Sequence, residues 1–296
     1  MLRILIVGCG DVGLRVARQI AGKACLYGLL RTPGRAAELR AAGVIPVPGD
    51  LDDRASLVRL AGLADVVLHL APPPAEGTSD TRTRNLLAAL SGGPGTRRAS
   101  LPRTLIYVST SGVYGDCSGA VVPETRPARP ANARAKRRRD AEMRLRDWAA
   151  RTGVGLAIVR APGIYAGDRM PEERVRKGLP ALLPEEDIYT NHIHAEDLAG
   201  LVITAMFRGA RNRLYNAIDD SGLKMGDWFD VVADHLGLPR PPRLPKSEVM
   251  AAVTPAMRSF LSESRRMTNR RIKDELRYRL KYPTAQGTLP PSGGRH

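Results

Sequence analysis

Three glycines near the start of the chain have the spacing of a phosphate-binding loop. Gly8, Gly10 and Gly13 form the pattern G-x-G-x-x-G, directly after an apolar run at residues 2–7. Between a strand and a helix, Gly8 would permit the tight turn, Gly10 would let the backbone approach a pyrophosphate, and Gly13 would let helix and strand pack closely. The phosphates would accept hydrogen bonds from free N–H groups at the helix N-terminus. We therefore predict a dinucleotide site formed by Gly8, Gly10, Asp11, Val12 and Gly13.

The end of the second predicted strand indicates which dinucleotide binds. An acidic residue about 20 residues after the glycines would accept a hydrogen bond from the ribose 2′-hydroxyl of NAD. Arg31 stands there instead, with Arg35 close behind it. A guanidinium pairs with a 2′-phosphate, which a carboxylate would repel. We therefore expect NADP. NAD remains the alternative, because Arg31 could be simply one of many exposed arginines.

The elements that would hold this loop alternate along the first half of the chain. Short apolar runs predict strands, and segments with apolar residues at helical spacing predict helices between them. This alternation predicts an α/β fold, a Rossmann-type doubly wound parallel sheet. The predicted strands are 2–7, 24–30, 44–48, 65–70, 103–109 and 154–160, and the helices after the first are 35–42, 54–61, 81–90 and 135–150.

Beyond residue 162 the alternation becomes irregular, with helices predicted near 196–207, 225–236 and 269–276. We interpret this part as a smaller mixed α/β C-terminal portion that covers the mouth of the sheet. The predicted organisation is a dinucleotide-binding domain at 1–165, a substrate-side portion at 166–285 that can interleave with it, and a flexible tail at 286–296, where glycine and proline are frequent.

Further motifs resemble the short-chain dehydrogenase/reductase superfamily, on its extended side, which includes the NAD-dependent epimerases and dehydratases. The similar segments are 49–52 (Gly-Asp-Leu-Asp), 68–71 (Leu-His-Leu-Ala), 107–115 (Tyr-Val-Ser-Thr-Ser-Gly-Val-Tyr-Gly), 160–165, 193–199 and 215–217. The resemblance implies that Asp50 and Leu51 lie near the adenine, Leu70 and Ala71 lie under the cofactor, and Ile164 lies beside the nicotinamide.

The resemblance also implies catalytic positions. Thr110 matches the Ser/Thr that orients a carbonyl, and the family's Tyr-x-x-x-Lys pair corresponds to Asn132 and Lys136. Lys136 would hold the nicotinamide ribose, but an amide cannot titrate near neutrality as the missing phenol does. Tyr114 and Tyr165 are the nearest phenols that could substitute for it, and the alternative for each is that it forms an aromatic wall of the substrate pocket.

Two functions remain open at this point. The first is an NAD(P)-dependent oxidoreductase or epimerase/dehydratase-like enzyme in which Asn132 replaces the catalytic tyrosine. The second is a non-catalytic NADP-binding sensor or scaffold protein. The expected partner is a small molecule, either a sugar nucleotide or another carbonyl or hydroxyl compound, and the chain would be a monomer or a homodimer.

Composition and spacing argue against several other classes. The net charge of +16 comes largely from scattered arginines, and the cluster at 134–139 lacks the aromatic residues typical of nucleic-acid binding. The sequence predicts no transmembrane segment and no secretory leader, which favours a cytoplasmic location. Cys9, Cys25 and Cys117 have no metal or disulfide spacing. His192, His194 and Asp197 are too few, at spacing too common, to predict a metal site.

Overall fold

The computed structural model describes residues 1–92 and 100–290. The strands are β1 (Arg3–Val7), β2 (Cys25–Leu30), β3 (Val44–Pro48), β4 (Val66–His69), β5 (Thr104–Thr110), β6 (Val121–Val122), β7 (Gly155–Ala161), β8 (Gly163–Tyr165), β9 (Ala181–Leu182), β10 (His192–His194), β11 (Arg213–Asn216), β12 (Arg243–Leu244) and β13 (Arg266–Met267). The helices are α1 (Asp11–Ile20), α2 (Ala36–Ala41), α3 (Thr81–Leu90), α4 (Ala133–Thr152), α5 (Glu172–Arg176), α6 (Ala195–Arg208), α7 (Met225–Leu236), α8 (Lys246–Ala252), α9 (Pro255–Leu261), α10 (Arg270–Asp274) and α11 (Ala285–Thr288).

Seven of the strands form one parallel sheet in the order β3-β2-β1-β4-β5-β7-β11. The chain moves outward from β1 in one direction and then returns to continue in the other, so β1 and β4 flank the position where the strand order reverses. Ligands of such sheets bind beyond the carboxyl ends of the strands at this position. The predicted fold class, a doubly wound parallel sheet, is confirmed.

Helices cover both faces of the sheet because the strands are apolar on both sides. On one face, α1 and α6 pack on each other and on the strands through residues such as Val16 and Leu198. On the other face, α3 and α4 pack through residues such as Leu86 and Leu145. The predicted helix at 54–61 is a 3-10 helix, Arg54–Leu60, in which only Leu57 and Leu60 are buried.

Beside the main sheet, three short two-stranded pairings join β8 with β10, β9 with β12, and β6 with β13. The main core of the C-terminal portion lies around α7, where Trp228 and Phe229 are buried. The sequence predicts a flexible tail from residue 286, but α11 occupies Ala285–Thr288, and Ala285 and Leu289 are buried against α7. These two apolar side chains dock the segment despite its glycine and prolines. Residues 291–296 of the predicted tail lie outside the described residues.

Two general features of the sequence can also be located. Cys9, Cys25 and Cys117 are free thiols, and burial raises the pKa of Cys9 to about 11. No helix among the described residues is long and apolar enough to cross a membrane.

Candidate functional site at the carboxyl edge of the sheet

The glycine loop connects β1 to α1, and two of its glycines are required by close packing. Gly8 has a φ of 104°, and a Cβ there would collide with the backbone of Ala71 at the end of β4. A Cβ at Gly13 would lie 2.5 Å from the carbonyl oxygen of Gly8. Both glycines therefore serve the close approach of the loop, the helix and β4.

Gly10 differs, because a Cβ there would meet no heavy atom of the described residues within 4 Å. Gly10 occupies the N-cap position of α1, and no side chain in residues 1–92 or 100–290 caps this helix. Within the described part of the chain, the first N–H groups of α1 therefore have no side-chain acceptor, and the residues that carry them, Asp11, Val12 and Gly13, line a cavity. Backbone donors with free space in front of them fit the pyrophosphate of a dinucleotide.

A cavity of about 710 Å³ opens at this loop and extends along the carboxyl ends of β1, β4, β5 and β7 into the C-terminal portion. This volume lies within the range of about 300–1,000 Å³ that is usual for small-molecule sites. Eight of the predicted site residues line it, namely Gly8, Gly10, Asp11, Val12, Gly13, Leu70, Thr110 and Ile164.

Other predicted cofactor residues lie outside this lining. Ala71 is buried beneath the loop, where its N–H donates to Val7, and Leu51 is buried at the end of β3. Asp50 is half-buried, and its N–H contacts the hydroxyl of Ser56 at 2.8 Å. Arg31 is exposed at the end of β2.

The charges around Arg31 are arranged in pairs that leave its guanidinium exposed. Asp52, whose pKa is lowered mainly by its hydrogen bond to Arg82, accepts from that arginine at 2.6 Å. Arg35 donates to the carbonyl of Cys9 at 3.0 Å and pairs with Glu38 at 2.8 Å. Among the described residues Arg31 forms no ion pair, so it retains the capacity to bind a phosphate.

Thr110 lies at the end of β5 and faces the cavity. Its Oγ1 accepts a hydrogen bond from the N–H of Gly112 at 3.3 Å. The hydroxyl proton of Thr110 is then available to donate to a ligand oxygen in the cavity.

The predicted pair on α4 does not line the cavity. Asn132 is the N-cap of α4: its Oδ1 accepts from the N–H of Ala135 at 2.9 Å, and its Nδ2 donates to Glu263 at 3.2 Å. Lys136 is exposed. The alignment of Asn132 and Lys136 with the Tyr-x-x-x-Lys pair is therefore corrected, because these positions lie on another side of the helix from the cavity.

Arg134 and Arg138 are the α4 residues that line the cavity, and they have the same spacing of four residues. Arg138 is half-buried, and its Nη1 donates to the carbonyl of Val108 at 2.9 Å and to the Tyr107 hydroxyl at 3.2 Å. The guanidinium of Arg134 lies 4.4 Å from the ring centroid of Phe260. Two guanidinium groups with the spacing of the family pair thus border the cavity, and no sequence motif marked either of them.

Tyr114 lies behind the cavity wall. It is 1% exposed, its hydroxyl donates to Asn216 at 2.8 Å, and Arg160 stacks on its ring. Burial raises its pKa above the usual value. Because Tyr114 is not among the lining residues, its position argues against proton exchange with a substrate.

The histidines near the site have packing roles. His192 lines the cavity and stacks on Trp228 at 4.2 Å, and burial lowers its pKa to about 3. His194 accepts from the N–H of Glu196 at the start of α6. Asp197 accepts from the Tyr278 hydroxyl and two backbone N–H groups. In residues 1–92 and 100–290 no group of three His, Cys, Asp or Glu side chains is placed to hold a metal ion.

The far wall of the cavity is apolar and comes from the C-terminal portion. No motif in the sequence marked these residues, because they come from separate irregular segments that meet only in the fold. They include Met170, Met225, Trp228, Phe229, Met257 and Phe260.

Solved structures with the same fold include proteins of several kinds. A functionally unknown conserved protein from Silicibacter pomeroyi is 30% identical, with 98% of this chain and 97% of that chain covered and a TM-score of 0.78. UDP-glucose 4-epimerase from Thermotoga maritima, solved with UDP-glucose, is 18% identical over 97% of both chains, with a TM-score of 0.75. A dTDP-glucose 4,6-dehydratase from Streptomyces venezuelae, solved with NAD, is 19% identical over 97% of this chain and 96% of that chain, with a TM-score of 0.73.

The comparison with curated proteins gave no match. A family model matches residues 4–217, which include the glycine loop, the end of β5 and the start of α4. The chain therefore belongs to the NAD dependent epimerase/dehydratase family.

Proposed function

We propose that this protein binds NADP(H) along the carboxyl edge of the sheet and acts there as an oxidoreductase on a small carbonyl or hydroxyl compound. The observation that carries the proposal is the open helix start at Gly10, which faces one continuous cavity with Thr110. Backbone donors for phosphates and a hydroxyl donor for a substrate oxygen border the same space.

The cofactor would be held by residues with separate tasks. The loop at Gly10 and Asp11 would bind the pyrophosphate, Arg31 would pair with the 2′-phosphate of NADP, and Leu70 and Ile164 would contact the nicotinamide half. NAD remains the alternative, since the related dehydratase was solved with it. When bound, the nicotinamide supplies or accepts a hydride.

The protein's own part in the reaction would be to orient and polarise the substrate. Thr110 would donate its hydroxyl proton to the substrate oxygen, and the apolar wall with Trp228 would exclude water from one side. Arg134 and Arg138 can stabilise negative charge, but a guanidinium is not deprotonated near neutral pH and so cannot act as the general acid. In this proposal the proton reaches the substrate oxygen from water through Thr110.

The second candidate is a sensor or scaffold that binds NADP(H) without turnover. The observation that favours it is the absence of a phenol from the α4 positions that line the cavity, where Arg134 and Arg138 stand. A site that binds the dinucleotide but has no efficient proton donor would keep the cofactor bound without turnover. Such a protein would respond to whether the cofactor is bound.

Calorimetric titration with NADPH and NADH tests the cofactor proposal, and we expect tighter binding of NADPH. Equal or tighter binding of NADH would refute the preference. A panel of aldehydes, ketones and sugar nucleotides, followed by NADPH absorbance, then separates the two candidates. Oxidation of NADPH by any member supports the enzyme, whereas NADPH binding without turnover across the panel supports the sensor.

A further inference from the structure

The charged side chains that line the cavity carry a net positive charge. In the described chain, four arginines line it (Arg134, Arg138, Arg169 and Arg265) together with two carboxylates (Asp11 and Glu263). The ion pairs among these side chains show which of the arginines remain available to bind a ligand in the cavity.

Both carboxylates are already engaged by the other two arginines. Asp11 accepts from Arg169 at 2.9 Å and from Arg15 at 2.8 Å. Glu263 is 7% exposed and accepts from Arg265 at 2.7 Å. Asp11 and Glu263 therefore neutralise Arg169 and Arg265. The two arginines of α4 are left without a carboxylate partner among the lining residues.

Arg134 and Arg138 form no ion pair with any described residue. The Nη1 of Arg138 donates to the carbonyl of Val108, which leaves its Nη2 and Nε for other acceptors. Arg134 rests on the ring of Phe260. One helical turn separates the two residues, so their guanidinium groups face the cavity from the same side of α4.

We propose that Arg134 and Arg138 form an anion subsite, and that the substrate of this protein carries a carboxylate or phosphate that binds there. The inference rests on the proposed function, because it names the substrate class of the same cavity. Two guanidinium groups that form no ion pair with the described residues suit a planar or tetrahedral oxyanion that accepts from both. An anionic oxo or hydroxy compound could bind with its anionic group at this pair and its reacting oxygen at Thr110.

The test uses oxalate and inorganic phosphate as anionic probes and oxamide as the neutral counterpart of oxalate. We expect one or both anions to bind to the wild-type protein in calorimetry, and oxamide to bind at least about tenfold more weakly. R134Q and R138Q should each weaken the anion about tenfold or more, and R134K should retain part of the affinity. R151Q removes a charge from the exposed far end of α4 and should change nothing.

Anion binding could also reflect a site for a phosphate of the cofactor, so each titration is repeated with NADPH bound. The proposal requires the anion to bind in the presence of NADPH. Competition between the anion and NADPH would overturn it, as would binding that R134Q and R138Q leave unchanged, or binding of neither anion. Failure to bind NADPH would instead refute the proposed function, since the anion titrations on the free protein do not depend on the cofactor.

Discussion

Two helices begin at the edge of the same cavity, and their N-termini are arranged in opposite ways. α1 begins after Gly10 with no capping side chain from the described residues, so its first N–H groups have no side-chain acceptor there. α4 begins after Asn132, whose side chain accepts from the N–H of Ala135, so this N-terminus is closed. At α1 the backbone itself provides the positive potential, whereas at α4 it comes from the side chains of Arg134 and Arg138.

This difference separates a site made by the backbone from a site made by side chains. A backbone site depends on glycines and on the geometry of the turn, so it fits a pyrophosphate whatever side chains surround it. A side-chain site can be altered one residue at a time. The start of α4 is therefore the place where related proteins with one cofactor site can acquire different substrates.

The largest effect is expected at the open N-terminus of α1. Gly10→Val places two methyl groups in the space in front of the free N–H groups, and we expect NADPH affinity to fall at least about 100-fold, which corresponds to roughly 2.7 kcal/mol. Because a Cβ at this position meets no atom within 4 Å in the part of the chain that the structure describes, the melting temperature should change little. Calorimetry and thermal unfolding measure the two quantities.

Gly13→Val is the matched control, since its Cβ would lie 2.5 Å from the carbonyl oxygen of Gly8. This substitution should lower the free energy of unfolding by about 1–3 kcal/mol or more through overpacking. Full NADPH affinity in a well-folded Gly10→Val protein would show that the open N-terminus of α1 is not the phosphate site.

The second prediction concerns the exposed end of β2. Arg31→Asp replaces a cation with an anion beside the expected 2′-phosphate, so the ratio of NADPH to NADH affinity should fall about 10- to 100-fold. Arg31→Gln, which removes the charge and adds none, should give a smaller decrease. Titration of both variants with both dinucleotides supplies the ratios. A ratio unchanged by Arg31→Asp would exclude Arg31 as the residue that distinguishes the cofactors.

The same contrast explains which parts of the site the sequence could predict. The glycine loop is contiguous and its geometry follows from residue types, so Gly8, Gly10 and Gly13 could be placed from local pattern alone. The face of α4 depends on where the helix begins. Two residues along a helix correspond to a rotation of about 200°, so an alignment shifted from Arg134 to Asn132 selects another side of α4.

The sequence contains a signal for the position of Asn132 but none for the apolar wall of the cavity. Asn is among the residues most favoured at an N-cap, which identifies Asn132 as a helix start rather than a cavity residue. The apolar wall had no comparable signal, because Met170, Trp228 and Phe260 come from distant segments whose packing is fixed only by tertiary contacts. Likewise, only the fold shows that Ala285 and Leu289 dock against α7.

The smallest expected effect tests the closed N-terminus of α4. Asn132→Ala removes the cap and should lower the free energy of unfolding by about 1 kcal/mol, while Asn132→Ser retains a capping oxygen and should lose less. Neither variant should change NADPH affinity, because Asn132 does not line the cavity. Asn132→Tyr should also fail to raise NADPH oxidation, since a phenol at a capping position would not face the substrate. A loss of NADPH binding in Asn132→Ala, or a gain of turnover in Asn132→Tyr, would show that Asn132 belongs to the active site. Either result would contradict the orientation of α4 that places Arg134 and Arg138 in the cavity.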